Sequence, residues 1–73
     1  MKEFKINADF ITLGQLLKTE AFIGSGGQAK FFLWENNVLV NDERRTERGK
    51  KLCDGDIVKI EDTTYHIVYD SKN

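Results

Sequence analysis

Two helix openings of the same design stand in the first half of the chain, and they restrict its fold more than any other feature. In "ITLGQLL", Thr12 and Gln15 have the spacing of a capping box. The Thr hydroxyl accepts from the amide three residues on, and the Gln side chain accepts from the Thr amide in return. Ile11 and Leu16 stand where a hydrophobic staple requires them. Leu13, Leu16, Leu17 and Ala21 then mark one apolar face at helical spacing. In "GSGGQAKFFLWEN" the same box recurs at Ser25 and Gln28. Each helical residue turns about 100°, so Ala29, Phe32 and Leu33 share one side while Lys30, Phe31 and Trp34 lie roughly opposite. Asn tolerates the left-handed backbone of a helix end, so "NN" at Asn36 and Asn37 predicts the stop.

Beyond Asn37 the periodicity shortens to that of strands. "VLV" (Val38 to Val40) is β-favouring and "ND" (Asn41, Asp42) suits a tight turn. "DGD" (Asp54 to Asp56) is a turn signal, "IVKIE" alternates, and "DT" (Asp62, Thr63) turns it back into "TYHIVY" as a hairpin. "FKI" (Phe4 to Ile6) reads as a short edge strand ahead of the helices. The expected class is α+β, with two N-terminal helices packed on a small antiparallel sheet. Seventy-three residues predict a single domain over 1–73 with a thin core. A hydrophobic fraction of 40% with 32% charged residues is that of a folded globular chain rather than a disordered one. No run approaches the ~18 apolar residues of a membrane span, and "MKEFKINADF" is too polar for a signal peptide. Cys53 is the single cysteine, which suits a reducing, cytoplasmic setting.

The net charge of -1 conceals segregation. Residues 24–53 carry +2 and residues 54–73 carry -3. Five of the eleven Lys and Arg residues, Arg44, Arg45, Arg48, Lys50 and Lys51, stand in the eight positions from 44 to 51, with Glu47 as the one acid among them. Such a run is often only a solvated loop. Near-exclusion of acids and the weight on Arg, whose planar fork matches phosphate oxygens, point instead to nucleic-acid contact. Trp34 has two readings: cover for the core, or an outer-face platform beside Lys30 for an unpaired base.

Other patterns carry less. "GSGGQA" matches G-x-G-x-x-A but follows a helical segment, whereas the dinucleotide fingerprint must follow a strand. No Gly-Lys-Ser/Thr makes it a P-loop. His66 and Cys53 have no companions at ligand spacing, so neither a metal nor a cofactor is expected. Asp54 and Asp56 are explained by the turn glycine between them. No catalytic constellation emerges, and an enzyme is not expected.

The order of blocks "SGGQAKFFLWENNVLVNDERR" and "LCDGDIVKI" resembles the S-four-type, or alpha-L, RNA-binding domain, in particular its short stand-alone bacterial YaaA-like group. The matching positions are Ser25, Ala29 and Leu33 in the helix block, Val38, Val40 and Asn41 in the next, and Gly55, Asp56, Ile57 and Ile60 in the last. The chain departs from the family pattern at three places: Gly26 where Arg or Lys is common, Asp42 in place of the turn glycine, and Thr12-Leu13-Gly14 in place of a charged helix start. The resemblance implies a non-catalytic, monomeric protein that binds structured RNA, most commonly ribosomal RNA or a ribosomal particle. The interface would lie on the second helix and the following hairpin and loop. On this reading Arg44, Arg45, Arg48, Lys50 and Lys51 neutralise phosphates, Lys30 extends the patch, and Ser25, Gln28 and Asn41 supply hydrogen bonds. The acidic last third would face away. Two other classes compete: a protein-docking adaptor anchored on Phe31 and Trp34, and a ubiquitin-like sulfur carrier, which "VLVN" and "LCDGDIVKI" also resemble. The carrier needs a terminal Gly-Gly, and this chain reads "YDSKN" there.

Overall fold

The computed structural model describes residues 1–70. In chain order the elements are β1 (Lys2–Ile6), β2 (Ile11–Thr12), α1 (Leu13–Thr19), a 3-10 turn (Gly26–Gln28), α2 (Ala29–Glu35), β3 (Leu39–Val40), β4 (Glu43–Arg44), β5 (Lys51–Leu52), β6 (Ile57–Ile60) and β7 (Thr63–Tyr69). The main sheet has the order β1-β7-β6-β3-β4, and β2 pairs with β5 in a second, two-stranded piece. The class is α+β, as expected, but the arrangement differs. The expected edge strand at Phe4 to Ile6 forms, within β1, and the helices that follow it lie mid-chain rather than at the N-terminus. That strand runs parallel to β7, with Phe4 opposite Ile67, so the five-stranded sheet is mixed rather than antiparallel. A parallel pair needs a long crossover, and here everything between residues 6 and 63 supplies it.

Both helix starts form. Gln15 N donates to Thr12 Oγ1 at 3.2 Å and Thr12 N donates to Gln15 Oε1 at 2.8 Å. At the second start one turn of 3-10 helix precedes α2, and Gln28 Oε1 accepts from the amides of Gly24 and Ser25. The helix ends differ from expectation. α1 closes at Thr19, and Ala21 is exposed with φ +63°, outside the apolar face. Phe22 N donates back to Leu17 O at 2.9 Å, and Ile23 enters the core instead. Asn36 does stop α2, but in extended backbone: its amide and its Nδ2 both donate to Phe32 O, at 2.9 and 3.0 Å. The left-handed asparagine is Asn41, with φ +53°, followed by Asp42 at +70°; this pair of positive angles matches the twist of the β3–β4 hairpin. The β6–β7 turn lies at Glu61 and Asp62, one residue earlier than the pattern suggested.

One face of the sheet is covered. Ile6, Val40, Val58, Ile60, Tyr65 and Ile67 pack with Leu13, Leu16, Leu17, Ala29, Leu33 and Leu52 in a single core. The alternate residues of each strand face away from it. At the core's rim the Tyr65 hydroxyl donates to Glu20 Oε1 at 3.0 Å, and Lys2 Nζ reaches the same oxygen at 3.2 Å. Burial first, then this hydrogen bond and the Glu20 charge, push the Tyr65 phenol up to about 12. The neutral phenol is therefore favoured on folding. Its contribution is complete below the ordinary tyrosine value near 10 and is lost as pH rises from there towards 12. Tyr65→Phe should cost about 1 kcal/mol at neutral pH. Its melting temperature should then fall less steeply than that of the parent across that alkaline window. Thermal denaturation in a pH series checks both, and parallel curves above pH 10 would contradict the assignment.

Candidate nucleic-acid interface

The basic segment after β4 does not hang free. Two amides at the start of α1, which have no partner within their own helix, donate to its carbonyls: Leu13 N to Lys50 O at 2.8 Å and Gly14 N to Arg48 O at 2.9 Å. Lys50 N closes a turn onto Glu47 O at 3.1 Å, and Arg45 N donates to Val38 O at 3.0 Å. Gly14 permits this approach. A Cβ there would lie 3.2 Å from Arg48 O and 3.3 Å from Arg48 Cβ. The loop is thus laid across the start of α1 and beside the 3-10 turn, where Arg48 Nη1 donates to Gly26 O at 3.2 Å.

Arg48 consequently stands between two open grooves. One, of about 330 Å³, is bordered by Thr12, Gly14, Gln15, Lys18 and Gly26. The other, of about 380 Å³, is bordered by Gly27, Lys30, Trp34 and Thr46. Lys30 and Trp34 share a helix flank because they are four residues apart. Trp34 is 67% exposed, which settles its two readings in favour of the surface. At the end of α2, Arg44 Nη2 donates to Trp34 O at 3.1 Å. Arg48 is common to both grooves, so α1, α2 and the loop place Lys18 on the first and Lys30 with Trp34 on the second, with Arg44 at the end of α2. Among the described residues no carboxylate is ion-paired with Lys18, Lys30, Arg44 or Arg48.

The remaining expected contacts are placed less favourably. Arg45 is half-buried. Its Nη1 lies 3.6 Å from Glu47 Oε2, a weak ion pair at the surface, and its Nε is enclosed without a partner, so less of its guanidinium is presented outward. Lys50 is also half-buried, and Lys51 Nζ sits 4.8 Å from the centre of the Phe10 ring. Asn41 spends its side chain on the scaffold: Oδ1 accepts from Ile57 N at 2.9 Å and Nδ2 donates to Asp56 Oδ1 at 3.0 Å. Gln28 Oε1 is engaged by the Gly24 and Ser25 amides, and Ser25 stands exposed at the turn. Asp54 and Asp56 hold turns, accepting from Tyr69 N and Cys53 N at 2.7 Å each. Lys18 and Thr46 were missed in the sequence. For Lys18 a signal existed, since it falls four residues after Gly14 on the same helix flank.

A small α+β domain of two short helices and a mixed sheet is consistent with one known class, and the family model identifies it: an S4 domain matches residues 4–68, and the chain belongs to that family. Among curated proteins it is similar to the "Probable ribosome maturation protein RlbA" of Bacillus subtilis (strain 168). The two are 57% identical over 56 residues, which cover 77% of this chain and 79% of that protein. No helix among the described residues is long and apolar enough to cross a membrane.

Proposed function

We propose that this protein is a non-catalytic binder of structured RNA, acting as a cytoplasmic monomer on ribosomal RNA or a maturing ribosomal particle. The observation that carries the reading is that cations from three separate elements border two adjoining grooves that share Arg48, with Lys18 on one and Lys30 and Trp34 on the other. Family membership and the relative named for ribosome maturation support it. Lys18, Lys30, Arg44 and Arg48 neutralise phosphates, and such contacts position an RNA without reading its sequence. Trp34 offers its face to an unpaired base, as aromatic platforms do in RNA-binding proteins. Lys51 and Ser25 extend the rim, while Asn41, Arg45, Lys50 and Gln28 serve mainly to hold the surface in shape.

Trp34 is the only tryptophan in the chain, so its emission reports the site directly. Titration with a hairpin RNA carrying unpaired loop bases should quench that emission, and affinity should fall steeply with salt. Trp34→Ala should weaken binding tenfold or more, from about 1–3 kcal/mol per stacked base. Unchanged emission at saturation would remove Trp34 from the interface, and salt-insensitive affinity would remove the phosphate contacts. A second reading, docking of a protein partner, is favoured by Phe31, which is 68% exposed beside Phe22 and Phe32. Apolar anchoring there would persist at high salt.

A further inference from the structure

The sheet has a second face that the helices leave uncovered. Strand alternation puts Lys5 of β1, His66 of β7, Lys59 of β6 and Arg44 of β4 on that face. Their registers form a diagonal. Lys5 is opposite Val68, two residues along β7 from His66. His66 is opposite Ile57, two residues along β6 from Lys59. Lys59 and Arg44 both flank Leu39 in one row. Diagonal neighbours such as Lys5–His66 and His66–Lys59 lie about 7–8 Å apart, comparable to successive phosphates along one strand of RNA, and Lys59 and Arg44, two strand spacings apart, about 10 Å. Lys5 and Lys59 are exposed, and among the described residues neither is ion-paired with a carboxylate. Among the described residues the acids on this side are Glu3, opposite His66, and Asp70, which follows Val68 by two residues just past β7; Glu61 and Asp62 lie beyond Lys59 at the hairpin turn. The diagonal also connects to the helix side, because Arg44 at the β4 edge donates to Trp34 O.

We infer that Lys5, His66, Lys59 and Arg44 form a second RNA-backbone track, which receives a single-stranded segment continuing from the helix-side site around the β4 edge. The inference rests on the RNA-binding reading above and extends it: the RNA bound has a structured part on the helices and an unpaired flank on the open sheet. Lys5 and Lys59 pair with phosphates, His66 donates a hydrogen bond to a phosphate oxygen, and Leu39, Ile57 and Val68 give the strand an apolar floor. Arg44 is the hinge of the path, shared by both surfaces.

The test compares a blunt hairpin RNA with the same hairpin carrying single-stranded uridine tails at both ends. Tails should raise the affinity of the parent protein about tenfold. Lys5→Glu/Lys59→Glu should abolish that gain and lower the slope of log affinity against log salt by about 0.7 per lost contact. Blunt-hairpin affinity and Trp34 quenching should stay as they were. Lys5→Gln/Lys59→Gln should show the same loss in reduced measure, and Glu3→Gln should enlarge the gain, so the outcome does not depend on tolerance of charge reversal. A parent protein that gains nothing from the tails, or a double variant that keeps the gain, overturns the track while leaving the helix-side site standing. A parent protein that binds neither hairpin overturns the helix-side reading itself.

Discussion

Replacing Lys18, Lys30 and Arg48 together with alanine should weaken binding to a structured RNA by roughly a thousandfold. Each cation is taken as worth about 1.4 kcal/mol, or tenfold, at a partly exposed site. The loss should be nearly uniform across RNA sequences, because phosphate contacts position without specifying. The dependence of log affinity on log salt should flatten by close to three contacts' worth, about 0.9 each on duplex RNA if it behaves like B-form duplex. The informative control is a second triple variant, Arg44→Ala/Arg45→Ala/Lys50→Ala, drawn from the dense basic run itself. It removes as much formal charge. Yet Arg45 and Lys50 are both half-buried, and Glu47 stands beside Arg45, so mainly the contribution of Arg44 disappears. A larger loss from the second variant than from the first would overturn the placement of the interface. Far-UV circular dichroism of both variants checks that the fold survives.

Gly14→Val should destabilise the protein by about 1–3 kcal/mol, the usual cost of forcing atoms into a packed contact, and should weaken RNA binding as well. In an unobstructed helix, exchanging glycine for a residue with a side chain gains up to about 1 kcal/mol for alanine and less for valine. The approach of Arg48 reverses the sign. The new Cβ meets a backbone oxygen at 3.2 Å, and that oxygen is tethered by the Gly14 amide and by the neighbouring Leu13–Lys50 bond. The loop has to give by a few tenths of an ångström at Arg48, which loosens the Leu13 and Gly14 bonds and the hold of the Arg48 guanidinium on Gly26 O. Denaturant unfolding and RNA titration on the same variant should therefore both show losses. A stabilised variant with full affinity would mean that the loop yields freely and that Gly14 positions nothing.

Much of the fold was legible locally. Thr12 and Gln15, Ser25 and Gln28, and the Asn41–Asp42 turn act within a few residues, and their chemistry is visible in the letters. What escaped was settled at long range. The partner of β1 is a strand some sixty residues away, and nothing in "KEFKI" names it. Ala21 kept its place in the apolar pattern on paper, but α1 ended first, and the core took Ile23 instead. The interface shows the same division. The basic run was plain in the letters, but that Glu47 would lie 3.6 Å from Arg45 was not. Which cations share a side depends on how α1 and the loop meet, and that depends on a missing Cβ at Gly14.

The parallel pairing of β1 with β7 has a consequence for synthesis. While the nascent chain is being made, the first strand has no neighbour to join until the last one has left the exit tunnel, and translation at roughly 5–20 residues per second sets the length of that wait. Phe4 and Ile6 stay unsheltered throughout, and the contacts that close the domain are among its most distant in sequence, the kind that form slowly. A domain of this architecture therefore closes only after its last strand has emerged, so the order of synthesis and the order of assembly are set apart by the topology of a single strand pair.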